Sequence, residues 1–572
     1  MIIIFYRMEE SNMLKKVLSA VLALIMLVGI MAGCGQSATP GNESTAAVST
    51  NPSETSAATP AKTSSRDNVT LVVGSEPATL DPGSNNSADG GTYILHLFEG
   101  LTRQDVNGKT IPGIAESWDI STDGLKYTFH LRDAKWSDGQ PVKASDFEYA
   151  WKRALSPELA SEYAYQVWYL KNGYEYNTGK AKAEDVGVKA TNDKTLEVEL
   201  AAPTSYFLEL CRFPTYMPVR KDVVEAAPTD WFTKPETLIG DGAYKMKSWE
   251  HSSQLVFEKN DAYWDAANTG FIKTLTWTLL EDEAAALSGF EAGEIDIVDQ
   301  LVPQAEIQNL VADGKCKIHD LLGTYYIYLN NSRAPFDNPK VRLALSLAID
   351  RQYIVDKVSR GGQLPATGIV PYKVPDADSS TDFRTKGGEL LPKTADIAKA
   401  KQLLAEAGYP DGKGFPEVEM YYNTMSGHKA IMEAVTEMWK TNLGITSFKT
   451  PNMEWKVLQE KVNSGDFWIA RMGWIGDYVD PMTFFDMFIS DSSQNQVKFN
   501  NAEYDKLILA AKNSNDQALR MDNMHKAEKI FVDETGAIPL YFYVAPMLEN
   551  PAIKDWRFDP MAFLFMQYAY VE

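Results

Sequence analysis

The chain has 572 residues, 44% of them hydrophobic, which is enough for about three or four compact units at the usual domain size. Its 77 Asp and Glu outweigh 55 Lys and Arg to give a formal net charge of −22, and with no basic cluster this excludes a nucleic-acid backbone as partner. Three cysteines (34, 211, 316) cannot form a disulfide framework, and six histidines (96, 130, 251, 319, 428, 525) lack the short spacings of a zinc site, so no metal and no cofactor is expected.

From Met13, Met-Leu-Lys-Lys leads into an apolar run from Val17 to Ala32 and then Gly33-Cys34. This is a secretory signal pattern, with a basic start and small residues before the cut, and the run is short for a membrane span. Met31-Ala32-Gly33-Cys34 resembles the bacterial lipobox, which implies cleavage before Cys34 and lipidation of that cysteine. Met13 already opens a complete signal, so residues 1–12 read as an extension from a misassigned start, and 1–33 as the signal segment. Residues 34–66, rich in Ser, Thr, Ala, Pro and Asn, bury too little to offset the entropy of folding and read as a flexible tether. The expected location is extracytoplasmic, on the outer face of a Gram-positive type of cell membrane, held there by the lipid on Cys34.

The body starts near Asp67 with an apolar strand, Val69 to Val73, ended by Gly74 and Pro77. Lys126 to Arg132 alternates Tyr127, Phe129 and Leu131 with polar residues, a half-buried strand, and Trp136-Ser-Asp-Gly139 then turns the chain. Ser145 followed by Glu148 predicts a capping box for a helix whose stripe is Phe147, Ala150, Trp151, Ala154 and Leu155. Leu275, Trp277 and Leu279 alternate as another strand. Asn338-Pro339 opens a helix through Val341, Ala344, Leu345 and Ala348. A helix from about Asp396 carries Ile397, Ala400, Leu403, Leu404 and Ala407 on one face and stops at Gly408. The next has Ile431, Ala434, Val435, Met438 and Trp439 and ends at Gly444. Alternating strands and helices without a fixed repeat indicate α/β lobes.

The better-known hydrolase, metalloprotease and nucleotide-binding motifs do not occur, and Asp411-Gly-Lys-Gly414 is a turn, so the chain does not read as an enzyme. The residues that call for a partner lie between Arg471 and Pro481, Arg-Met-Gly-Trp-Ile-Gly-Asp-Tyr-Val-Asp-Pro. There Asp477 sits between Trp474 and Tyr478, where an ionised carboxylate is costly unless a cation or several donors satisfy it. On these residues alone the partner is either internal, Arg471 or a helix-start amide, or the ammonium group of a ligand.

Several blocks together resemble the peptide-binding components of ABC importers, the oligopeptide-binding type of extracellular solute-binding family 5 (peptide/nickel). They are Leu80-Asp-Pro82, His96 to Leu101, Tyr127 to Arg132 with Trp136 to Gly139, Gly242 to Lys245, Asn338 to Arg342, Leu403 to Tyr409 and Arg471 to Pro481. The resemblance implies a two-lobed, hinged α/β fold of the large three-domain periplasmic-binding type. Domain I would comprise residues 67–98, 231–322 and 543–572, domain II residues 99–230, and domain III, a lid, residues 323–542. It also implies that Asp477 pairs with the α-amino group of a short peptide, that Trp455 lines a side-chain pocket, that Asn423 and His428 line another, and that Tyr163 contacts the ligand. Gly323 to Asn330, with Tyr326 and Tyr328, resembles the strand beside which the peptide lies extended, where main-chain pairing gives affinity indifferent to side chains. Trp474, Arg471, Asn86, Ala88 and Val462 complete the expected ligand-binding set.

Three positions depart from the charged pattern of enteric members: Asn86 and Tyr328 replace glutamates and Val462 an arginine. Their cysteine pair falls at Gly323 and Ile475, so that bridge is absent. These changes predict a preference for less charged, more apolar peptides. The function implied is a lipid-anchored, monomeric capture protein that delivers short peptides to a membrane ABC permease. The rival readings are a receptor for one signalling or cell-wall peptide, a surface enzyme acting on peptides, and an adhesin or chaperone-like protein.

Overall fold

A computed structural model describes residues 63–572 of the chain, apart from Ser75, Ser379 and Ser493. The signal segment, Cys34 and the tether up to residue 62 lie outside the described residues. The last four tether residues belong to the body: the Ser65 amide donates to the Val571 carbonyl at 2.8 Å, and the Arg66 guanidinium pairs with Asp296.

The strands predicted from alternation form for the reason expected, one face of each being buried. In Lys126–Leu131 the residues Tyr127, Phe129 and Leu131 are buried, and this strand lies inside a four-stranded antiparallel sheet with Ala115–Ile120, Thr195–Glu199 and Val188–Asn192. The helix Ala144–Ala154 buries the predicted stripe, but its cap lies two residues earlier than Ser145. The Asp146 carboxylate accepts the Lys143 amide at 2.9 Å and the Trp136 indole N–H at 3.2 Å, while Glu148 turns away to accept the Ala190 amide at 2.8 Å. Asn338 caps Pro339–Leu347 by accepting the Lys340 amide, and Asp396 caps Ile397–Glu406 by accepting that of Lys399. Ile397, expected on the inner face, is exposed, because that helix packs through Ala400, Leu403 and Leu404. Cys211 and Cys316 are both buried free thiols.

The larger sheet has twelve strands, ten of them in one continuous order: Phe448–Lys449, Val418–Asn423, Ile469–Ile475, Cys316–Leu329, Ile538–Glu549, Ile297–Asp299, Asn68–Val72, Thr274–Thr278, Gln254–Lys259 and Tyr244–Glu250. Two long neighbours hold its middle together. Cys316–Leu329 and Ile538–Glu549 run antiparallel, with Asp320 opposite Val544 but Thr324 opposite Phe542, so the ladder breaks at Leu321 to Gly323. At the break the Leu322 amide donates to the Pro560 carbonyl and the Leu322 carbonyl accepts the Gly476 amide, each at 2.7 Å. The domain limits expected at 322/323 and 542/543 fall on this irregularity. On the other edge of the long strand, Gly323 stands directly opposite Ile475.

Candidate functional site

Asp477 lies just beyond the Ile469–Ile475 strand, in a loop followed by a 3-10 turn at Pro481–Phe484. The Thr483 hydroxyl oxygen accepts both the Asp477 amide, at 3.1 Å, and the Trp474 indole N–H, at 3.3 Å, which sets the loop against the strand end. Asp477 is 8% exposed, and its carboxylate accepts from the Tyr165 hydroxyl at 2.7 Å, from the Gln166 amide and from the Tyr163 hydroxyl at 3.4 Å. All three donors are neutral. Burial pushes the Asp477 carboxyl up to about 7, and the like charge of buried Asp486 adds to this, while the Tyr165 and Gln166 hydrogen bonds oppose it.

Arg471 is not the internal partner. Its guanidinium donates to Asn423 Oδ1 at 3.2 Å and to the Tyr543 hydroxyl at 2.9 Å, and it packs over the ring of Tyr325, 4.7 Å from the centroid, with Trp455 at 6.0 Å. Among the described residues no carboxylate pairs with it. Gly473 makes this packing possible, because a Cβ there would collide with the Tyr543 hydroxyl. The Tyr325 hydroxyl also lies 3.3 Å from His428 Nδ1, and burial beside Arg471 lowers the His428 pKa well below its usual value, keeping the ring neutral. Asn423, Tyr325 and neutral His428 thus surround the single positive charge of Arg471.

Asp477 opens onto a cavity of about 380 Å³, within the size range of small-molecule sites. Of the expected ligand-binding residues it is lined by Asp477, Trp474, Tyr163, Trp455, Tyr328, Asn86 and Ala88. The others are placed elsewhere. Tyr326 is fully buried with its hydroxyl 3.3 Å from the Ile369 carbonyl, and Val462 is buried in the core under the Trp455–Asn463 helix, whose next residue, Asn463, does face the cavity. A smaller cavity of about 50 Å³ also reaches Asp477, lined mainly by apolar side chains with Arg103, Glu209 and Arg212 among them. Tyr165 and Gln166 were not found from the sequence. The signal available was their place one turn beyond Tyr163, in Ser161-Glu-Tyr-Ala-Tyr-Gln166, but they lie 312 and 311 residues from Asp477.

A lobed α/β scaffold in which a buried acid faces a cavity with neutral donors only is the build of a solute-binding protein. Residues 109–496 match the description "Bacterial extracellular solute-binding proteins, family 5 Middle", and the chain belongs to that family. It is 37% identical to the oligopeptide-binding protein OppA of Bacillus subtilis over 490 residues, 85% of this chain and 89% of that one. It superposes on Haemophilus influenzae OppA in complex with the peptide RPPGFSPFR with a TM-score of 0.82 at 32% identity, covering 89% of this chain and all of the other. On the Escherichia coli murein tripeptide-binding protein MppA the TM-score is 0.80 at 34% identity, covering 89% and 99%, and it falls to 0.65 on the unliganded open form of MppA. The fold is therefore the lobed periplasmic-binding-protein architecture, in an arrangement less like the unliganded open form of MppA than like the other MppA structure. The chain is an extracytoplasmic binding protein, not an enzyme.

Proposed function

We propose that this protein captures short peptides in the 380 Å³ cavity, with the ligand's α-ammonium on Asp477, and delivers them to an ABC-type importer. The observation that carries the reading is a buried carboxylate held by Tyr165, Gln166 and Tyr163, all neutral donors. Such a set orients an anion and leaves it one cation short, and a ligand ammonium supplies that cation while the closing cleft removes water. Arg471 does not line this cavity and is held by Asn423, Tyr543 and Tyr325. The names of the relatives, oligopeptide-binding and murein tripeptide-binding, agree with a peptide ligand.

In this reading the two long strands act as the hinge between a domain I built from residues 67–98, 231–322 and 543–572 and a lid of residues 323–542, with domain II at 99–230. The protein works as a monomer tethered through lipidated Cys34 to the outer face of a Gram-positive type of membrane. Titration calorimetry with a tri-alanine peptide and its N-acetylated form tests the anchor. Binding of the free peptide with at least about a hundredfold loss on acetylation is expected, matching the cost of leaving a buried charge unpaired. Equal affinity rejects the role of Asp477.

A further inference from the structure

The cavity is lined by more carboxyl groups than one ammonium group can use. Three carboxylates line it, Asp89, Glu162 and Asp477, with the carboxamides of Asn85, Asn86, Gln459, Asn463, Gln494 and Gln496, and among the described residues no Lys, Arg or His does. With Asp477 assigned to the ligand's α-ammonium, two acids remain. Glu162 stands at the rim, exposed, where its carboxylate accepts from Asn86 Nδ2 at 2.8 Å and from Asn463 Nδ2 at 3.4 Å. These amides come from two distant parts of the chain and orient the carboxylate without cancelling its charge. Asp89 lies in the first turn of the helix Ala88–Leu97 and accepts the Gly90 amide at 2.8 Å, so the positive helix end offsets part of its charge. Glu162 has no such offset.

We propose that Glu162, with Asp89 as the weaker contributor, forms a second cation subsite that selects a Lys or Arg side chain within the first three residues of the bound peptide and disfavours Asp or Glu there. The inference rests on the Asp477 anchor, because Tyr163, the residue after Glu162, reaches the carboxylate that fixes the start of the ligand. It also reverses the preference expected from Asn86, Tyr328 and Val462. Neutral Asn86 does not empty the site of charge but holds Glu162 in place, and Val462 faces the core and has no bearing on the cavity.

The attraction of two unit charges a few ångströms apart in partly excluded water exceeds that needed for a tenfold preference, and salt weakens it at the rim. The test is calorimetry at low salt with Lys-Ala-Ala, Ala-Lys-Ala and Ala-Ala-Lys against the three corresponding Glu peptides, on the wild type, Glu162→Gln and Asp89→Asn. At one of the three positions the wild type is expected to favour Lys over Glu by at least about tenfold. That ratio should fall below about threefold in Glu162→Gln, and by less in Asp89→Asn. Equal affinity for Lys and Glu peptides at every position in the wild type overturns the proposal, as does a ratio that survives both substitutions. An N-acetylated control on each peptide keeps the two readings apart. A failed anchor shows as insensitivity to acetylation, and a failed second subsite as insensitivity to side-chain charge with the acetylation effect intact.

Discussion

Asp477 and Asp480 stand three residues apart in the same loop, each 8% exposed, and the protein treats them in opposite ways. Asp480 meets the buried Arg520 guanidinium in a two-pronged pair, at 2.8 and 3.0 Å, and also accepts the Met482 amide at 2.9 Å. Arg520 comes from the helix Gln517–Asp533, so this pair fastens the loop to the body of the fold. Asp477 has hydroxyl and amide donors only. The carboxylate of Asp480 is neutralised within the chain, and that of Asp477 is hydrogen-bonded but not neutralised. Arg471 repeats the second pattern with the opposite sign, a half-buried guanidinium held by neutral acceptors. At equal burial, the two acids differ in the charge of their partners and not in accessibility, and that is the difference the proposed function rests on.

Four measurements break or sharpen that contrast. The largest effect is expected at the structural acid: Asp480→Asn strands Arg520 and should cost about 3–5 kcal/mol in urea unfolding, with peptide affinity of the folded fraction little changed. Asp477→Asn should do the reverse, weakening peptide binding about a hundredfold with no loss of ligand-free stability. Next, Tyr165→Phe removes the 2.7 Å donor to Asp477 and should weaken binding about tenfold by calorimetry.

The smallest expected effect is in the pH dependence of melting. The Asp477 carboxyl titrates near 7 in the fold against an ordinary value of 3.8, so the folded chain holds that proton more tightly than the unfolded chain. Its contribution to stability is therefore fully present below about pH 4 and is lost as the pH rises through 7. Ligand-free Asp477→Asn should melt a few degrees above the wild type at pH 8, and the gap should close toward pH 4. Saturating peptide should close it at pH 8 as well. A variant that melts lower at pH 8 without ligand would place Asp477 with the structural acids.

Much of the fold was legible because it rests on local periodicity. Tyr127, Phe129 and Leu131 alternate toward a core, and Asn338-Pro339 starts a helix, whatever the rest of the chain does. The shifted cap at Lys143 was not legible, since Asp146 and Glu148 are both competent acceptors and the choice fell to distant groups, Trp136 and the Ala190 amide. Ile397 failed for a related reason, because the width of a buried helix stripe depends on what packs against it. At the site, the motif around Asp477 singled out the acid, and family resemblance named its partner. Whether Arg471 answered it internally was left open by the sequence and closed by Asn423, Tyr543 and Tyr325.

The sequence by itself determined that this is an acidic α/β protein with an aromatic-flanked carboxylate that a cation or several donors must satisfy, because composition, alternation and local motifs are properties of neighbouring residues, and the resemblance of its blocks to known proteins added the solute-binding class. Only the tertiary structure decided which acids are satisfied within the chain and which face the cavity. Tyr165 and Gln166 meet Asp477 across more than 300 residues, Arg520 meets Asp480 across 40, and Glu162 is held by Asn86 and Asn463. Charge compensation acts through space over a few ångströms, and chain order carries no record of that distance.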